Sequence, residues 1–242
     1  MRLSQGNCLE LMKAIPDNTV DLICCDLPYG TTRCKWDTQI DLTLLWEQYN
    51  RVTKDTSAIL LFAQTPFDKV LGVSNLEMLR YEIVWEKPAA TGHLNAKKMP
   101  MKAHENILVF YKKLPTFNPQ KTTGHSPVNS YTKHQGDGEC YGQTKIGVSG
   151  GGSTERYPRS VQVFSSDKQL LNLHPTQKPL ALVEWLVKTY SNEGDLIMDN
   201  CMGSGTTGAA CLNLNRRFVG MELDETYFNI SRTRITEQRG II

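Results

Sequence analysis

Two short stretches of this chain carry residue types that could act together on a planar ligand bearing an amino group. The first is Asp26-Leu27-Pro28-Tyr29, followed by Gly30 and preceded by the apolar run Val20 to Cys25. Such a run reads as a core strand, and the Pro and Gly behind it force a stop and a turn. Asp26 and Tyr29 are therefore predicted to project from the carboxyl end of a strand. In an open α/β sheet that edge takes ligands, and a carboxylate acceptor beside a flat π-face suits an amino-substituted ring such as a nucleobase. Taken alone, a D-x-P-Y-G string is more often only a loop, since each of these residues is common in turns.

The second stretch lifts the first above that background. Asp195 to Met198 reads as a short strand ending at Asp199, and Gly203-Ser204-Gly205-Thr206-Thr207-Gly208 then opens a predicted helix from Thr206 to Leu214. Strand, glycine-rich turn and helix in that order form a nucleotide-binding βα unit. Glycines let the backbone approach a ligand, and the free N–H groups of a helix start can receive a carboxylate or phosphate. The following strand, Phe218 to Met221, ends at Glu222, near the separation expected of a ribose-hydroxyl acceptor. Read literally, Gly203 to Gly208 is also a G-x-G-x-x-G of the kind found in NAD-dependent oxidoreductases. Only one strand and one helix follow it, too little for a dinucleotide domain unless the chain is permuted.

Together the two motifs resemble the amino-directed DNA methyltransferases, which use S-adenosylmethionine to modify exocyclic amines of bases. Asp26-Leu27-Pro28-Tyr29 is similar to that family's D-P-P-Y catalytic motif, and Asp199-Asn200-Cys201-Met202-Gly203-Ser204-Gly205-Thr206-Thr207 to its D-P-F-x-G-S-G-T-T cofactor motif. His174-Pro175-Thr176-Gln177-Lys178-Pro179 matches its H-P-T-x-K-P segment, and Val84 to Pro88 and His104 to Phe110 fit later sheet strands. The catalytic motif precedes the cofactor motif, the permuted order of the β group.

The resemblance implies an N6-adenine enzyme acting on double-stranded DNA, with a possible homodimer. N4-cytosine or RNA methylation, or an inactive nucleic-acid-binding relative, are the alternatives. It assigns catalysis to Asp26, Leu27, Pro28 and Tyr29, and the cofactor to Asn7, Asp199, Met202, Gly203, Ser204, Gly205, Thr206 and Glu222. Lys178 is expected either near the cofactor's methionine carboxylate or as a surface lysine at a helix start. His174 would orient its loop. No metal is implied. Leu27 replaces a proline, but the chemistry expected there comes from a backbone carbonyl, which any residue supplies. Asn200 and Cys201 replace a Pro and a Phe, which removes an aromatic contact to the cofactor. Asn7 stands where an Asp is usual, and its amide can still bond an adenine edge.

The elements that must position these residues follow from periodicity. A short helix is predicted from Cys8 to Ala14, a longer one from Leu42 to Val52, and strands at Asp21 to Cys25, Ala58 to Ala63, Tyr81 to Trp85 and Ile107 to Tyr111. Leu182, Val183, Leu186, Val187 and Tyr190 recur as on a helix packed against a sheet, and Asp224 caps a last helix from Glu225 to Gln238. The predicted fold is α/β: an open, mostly parallel sheet with helices on both faces, a permuted Rossmann-like methyltransferase fold with an irregular insertion. Residues 1–242 form a single domain in this reading.

Residues 113–170 form a target-recognition insertion within it, where Lys121, Lys133, Lys145, Arg156, Arg159, Tyr131, Tyr141 and Tyr157 could meet phosphates and stack on bases. A flexible solvated excursion is the bland alternative. Lys97, Lys98 and Lys102, within Lys87 to Lys102, offer a second basic flank, a mobile lid or an ordinary turn.

The 242 residues can bury a full core, and a net charge of +2 neither requires nor excludes a polyanion. No apolar run is long enough to span a bilayer, and the first residues lack a signal-peptide stretch, so a cytoplasmic location is expected. Seven cysteines with no C-x-x-C pair argue against a disulfide or zinc framework.

Overall fold

The computed structural model describes residues 1–30, 38–133, 146–166 and 177–239. His174, Pro175, Thr176, Cys34, Cys140, Tyr141 and Lys145 lie outside the described residues. The chain divides into two compact units, Met1–Asn118 with Ser160–Ile242, and Pro119–Arg159.

The first unit is built on one eight-stranded sheet. Its strands are β1 (Arg2–Gln5), β2 (Val20–Asp26), β3 (Thr53–Ala63), β4 (Leu79–Thr91), β5 (Lys102–Phe110), β8 (Val161–Val163), β9 (Leu196–Asp199) and β10 (Arg217–Glu222). They lie in the order β1-β10-β9-β2-β3-β5-β4-β8. The five from β1 to β3 run parallel, β5 is antiparallel to both neighbours, and β8 is parallel to β4. The helices are α1 (Cys8–Met12), α2 (Leu42–Val52), α3 (Phe67–Val73), α4 (Leu180–Tyr190), α5 (Thr206–Asn213) and α6 (Glu225–Arg239).

Parallel strands need crossovers, and the crossovers here cover both faces, so the central strands are apolar at nearly every position. The pleat sends alternate side chains to opposite sides. Ile23, Cys25, Ile59 and Leu61 pack with Met12, Leu45, Tyr49 and Leu71 of α1 to α3. Leu22, Cys24, Leu60 and Ile197 pack with Leu182, Leu186, Ala210 and Ile235 of α4 to α6.

From β2 the chain crosses to β3 on one side, while from β9 it crosses to β10 on the other. The order therefore reverses between β9 and β2, and the carboxyl ends of those strands flank a crevice of the kind that takes ligands. Asp26 ends β2, Asp199 ends β9 and Glu222 ends β10.

Several elements run past their predicted bounds. β3 begins at Thr53 and β4 continues through Lys87 to Thr91, where Thr91 pairs with Lys102 of β5. Of the stretch read as a flank, lid or turn, Lys87 to Thr91 and Lys102 are strand, while Lys97 and Lys98 lie in the exposed turn that joins β4 to β5. Strand β1 and helix α3 are new: Arg2-Leu3-Ser4-Gln5 has one apolar residue, and α3 is too short to establish a period. Asp224 caps α6 as expected, its Oδ1 accepting from Thr226 N–H at 2.9 Å and Tyr227 N–H at 3.1 Å.

The second unit holds the hairpin β6 (Tyr131–Thr132) and β7 (Ser149–Gly150). A second tie joins Thr122 to Arg156 through paired backbone hydrogen bonds of 3.0 and 2.9 Å. The Arg156 guanidinium donates to the carbonyls of Ser153 and Glu155, both at 2.9 Å, and to that of Ser126. Lys121 pairs with Glu155 at 2.9 Å and lies 4.8 Å from the Tyr157 ring centre. These two cations therefore hold the unit's own loops together.

Candidate active site

A cavity of about 590 Å³ opens at the switch point. Asp26, Leu27, Pro28 and Tyr29 line one side of it, and Asn7, Asp199, Met202, Gly203, Ser204, Thr206 and Glu222 another. Gly205 alone of the predicted set lies off the wall. It is the N-cap of α5 at φ 77°, where a Cβ would stand 2.9 Å from the Ser231 Cβ. Only glycine fits a left-handed backbone pressed so close to α6.

On the first side every charge has a partner. The Tyr29 hydroxyl donates to Asp26 Oδ1 at 2.8 Å, and Lys178 Nζ to Asp26 Oδ2 at 2.5 Å. Lys178 also contacts Glu105 Oε2 at 3.3 Å, an ion pair without hydrogen-bond alignment, so that oxygen makes no directed bond. Lys87 bonds the other Glu105 oxygen. Glu105 and Lys178 are buried, whereas the Asp26 side chain keeps 26 % of its surface exposed.

Burial pushes the Asp26 carboxyl above the ordinary range, and the Lys178 ammonium is the main force against it. Burial also works against charge on Lys178, but Asp26 and Glu105 outweigh it and hold its pKa up. Glu105 stays below the usual carboxylate range: burial raises it, and Lys178 and Lys87 together more than reverse that. Lys178 is thus a buried lysine paired with Asp26 and Glu105, not a surface residue. Tyr29 stacks on Phe67 of α3, ring centres 5.1 Å apart and planes 25° apart.

The second side has buried carboxylates and, among the described residues, no cation paired with them. Asp199 accepts from Cys201 N–H at 3.1 Å; burial pushes it up to about 6, with a Thr207 hydrogen bond opposing. Glu222 accepts from the N–H groups of Gly203 and Asp224, both at 2.9 Å, and burial raises it too. Asn7 caps α1, its Oδ1 accepting from Leu9 N–H at 2.9 Å. The Thr206 hydroxyl is held by Arg234 at 3.0 Å. Gln177 Nε2, buried on the wall, is a donor with no acceptor among the described residues.

Sequence reasoning missed Glu105, Lys87 and Phe67 as members of the site. Glu105 gave a signal, an acidic residue opening the apolar run Ile107 to Phe110. Phe67 gave none, because only the tertiary fold brings α3 beneath Tyr29.

The family model described as DNA methylase matches residues 20–233. A type II methyltransferase of Bacillus subtilis, M.BglII, is 28% identical over 255 residues, covering 95% of this chain and 67% of that protein. The DNA adenine methyltransferase YhdJ of Escherichia coli (strain K12) is 28% identical over 250 residues, covering 95% and 81%. Among solved structures, the M1.HpyAVI-SAM complex superposes with a TM-score of 0.68 at 23% identity, over 97% of this chain and 98% of that one. The cytosine-N4-specific PvuII DNA methyltransferase gives 0.69 at 14% identity, over 98% and 90%. A match to the family model over most of the chain makes it a member of the DNA methylase family.

Proposed function

We propose that this protein transfers the methyl group of S-adenosylmethionine to the N6 amine of an adenine in DNA. The observation that carries the reading is the juxtaposition, in one cavity, of a lysine-held Asp26 with the anionic, glycine-lined turn at Asp199 and Glu222.

The residues of the second side suit the cofactor. S-adenosylmethionine carries two positive groups and one carboxylate, and two buried carboxylates without a cation favour such a ligand. Asp199, Gly203 and Glu222 would hold it, with Asn7, Met202, Ser204 and Thr206 around them and Gly205 shaping the turn behind, and Gln177 Nε2 offers a donor to its carboxylate. The cofactor supplies an electrophilic methyl group on a sulfonium.

The amine of adenine shares its lone pair with the ring and attacks poorly until its geometry turns tetrahedral. Asp26 accepts one N–H, and the Leu27 carbonyl the other. Both bonds strengthen as the nitrogen becomes positive, so they act in the transition state. Lys178 keeps Asp26 ionised and aimed, and Glu105, braced by Lys87, keeps Lys178 in place. Tyr29 stacks on the base once it leaves the duplex, with Phe67 behind it and Pro28 stiffening the turn.

Residues 113–170, which include the second compact unit, form the target-recognition insertion of the one domain in this reading. Among its described residues, Tyr131 and Tyr157 are exposed rings that suit base stacking. The protein works in the cytoplasm on duplex DNA, and a homodimer is the expected assembly; a monomer by light scattering at working concentration would overturn that last point.

Nucleoside mass spectrometry on unmethylated duplex DNA incubated with protein and S-adenosylmethionine tests the reaction and the acceptor together. N6-methyladenine is expected. N4-methylcytosine would keep the mechanism and overturn the acceptor.

A further inference from the structure

The wall of the cavity near α1 holds chemistry that methyl transfer does not use. Three thiols meet there: Cys8 in the first turn of α1, Cys25 on β2 and Cys201 just beyond β9. Cys8 and Cys201 share one donor, the side-chain amide of Asn200. The Tyr49 hydroxyl donates to Asn200 Oδ1 at 2.5 Å, which orients that amide so that its Nδ2 faces Cys8 Sγ at 3.6 Å and Cys201 Sγ at 3.5 Å. Cys8 and Cys201 line the cavity, and Cys25 lies behind them at 1 % exposure.

The three differ in reactivity. Hydrogen bonding from Cys201 lowers Cys8 to about 7 against the cost of burial, with Asn200 and the Leu9 N–H adding to it. Bonds to Cys25 and Cys8, with burial, push Cys201 well above the ordinary thiol range, so it remains the S–H donor. Burial drives Cys25 up to about 12, which leaves it inert. A thiolate is the nucleophilic form of cysteine, and a protonated thiol beside it is placed to resolve whatever it forms.

We propose that Cys8 and Cys201 form a thiol-modification site in the cavity wall, which takes soft electrophiles and peroxides and closes to a disulfide on oxidation. The Cys8 thiolate attacks a peroxide oxygen, the O–O bond breaks, and hydroxide leaves a sulfenic acid on Cys8. The Cys201 sulfur then displaces that oxygen, and its proton departs with the oxygen as water. Hydrogen peroxide is reduced by two electrons, the two sulfurs lose two, and the products are one disulfide, one water and the hydroxide, which becomes a second water by taking up the proton Cys8 gave up on ionising. In a reducing cytosol such a bond is transient, as suits a regulatory thiol pair. That oxidation blocks the cofactor rests on the placement of S-adenosylmethionine proposed above; the thiol chemistry does not.

The test is peptide mapping by mass spectrometry of the full chain after treatment with stoichiometric hydrogen peroxide, with and without S-adenosylmethionine. We expect a Cys8–Cys201 linkage that dithiothreitol reverses. Cys201→Ser should stop at a dimedone-trapped sulfenic acid on Cys8, and bound S-adenosylmethionine should slow the reaction by about tenfold. Oxidation confined to Cys34 or Cys140 in the native wild-type chain would overturn the proposal, and needs no variant to fold. A Cys8–Cys201 disulfide that leaves S-adenosylmethionine affinity unchanged would uphold the thiol site and overturn the placement of the cofactor.

Discussion

The two sides of the cavity solve the problem of burying carboxylates in opposite ways. Around Asp26 and Glu105 two lysines neutralise two acids, so that side is balanced before any ligand arrives. Around Asp199 and Glu222 backbone N–H groups satisfy the oxygens, with a threonine hydroxyl helping at Asp199, and the charge is left standing. The first arrangement fixes a working group in one protonation state and orientation. The second leaves buried negative charge that suits a cationic ligand. The difference supports the proposal of amine chemistry on one side and cofactor capture on the other, and it can be broken one residue at a time.

The largest effect should come from Asp26→Ala. We expect methyl transfer to fall by roughly a thousandfold, the scale of losing a principal transition-state contact, with S-adenosylmethionine affinity unchanged by calorimetry. Turnover near normal would remove Asp26 from the chemistry and, with it, the division between the sides.

Lys178→Met sharpens the same comparison, because the sequence alone left Lys178 between the cofactor and a helix surface. It leaves Asp26 and Glu105 facing each other without the cation between them. Loss of one partner from such a cluster costs about 3 kcal/mol of stability, so the melting temperature should drop by several degrees. Turnover should fall by about tenfold to a hundredfold. In the proposed mechanism Asp26 works ionised, and removing a positive neighbour raises its pKa further. The acid limb of the pH–rate profile must therefore move to higher pH. A normal limb with weakened cofactor affinity would instead move Lys178 to the other side.

Much of this site was legible because its chemistry sits at strand ends. Asp26, Asp199 and Glu222 each follow an apolar run whose length and stop are written locally, and a parallel sheet gathers such ends at one edge. The supporting residues were not legible in the same way. Lys87 lies in the continuation of β4 past its apolar core, where exposed residues blur the period. Phe67 depends on a helix of seven residues. The pairing of Lys178 with Asp26 spans 152 positions, and only the fold brings the two together. Local pattern places reactive groups; partners supplied by distant strands set their protonation.

Asp199→Asn tests the anionic side. The swap keeps shape and removes charge, and should weaken S-adenosylmethionine binding by about tenfold, or ~1.4 kcal/mol. In the wild type, Asp199 gains a proton as the pH falls through about 6, and the attraction to the cation goes with it. Wild-type affinity should therefore decline below that pH while the Asn variant stays flat across it. Parallel curves would mean that Asp199 serves only to hold Cys201 and its turn.

The smallest expected effect is the most discriminating. Glu222 ties Gly203 N–H into the turn as well as facing the cavity, so Glu222→Ala removes two things together. Loss of one acceptor should weaken S-adenosylmethionine about fivefold, near 1 kcal/mol. Comparison with an analogue lacking the ribose hydroxyls separates the causes. If Glu222 accepts from those hydroxyls, the analogue loses nothing further in the variant, because the contact is already absent. If it acts only through the Gly203 turn, both ligands weaken equally, and the ribose contact must be sought among other residues of the cavity.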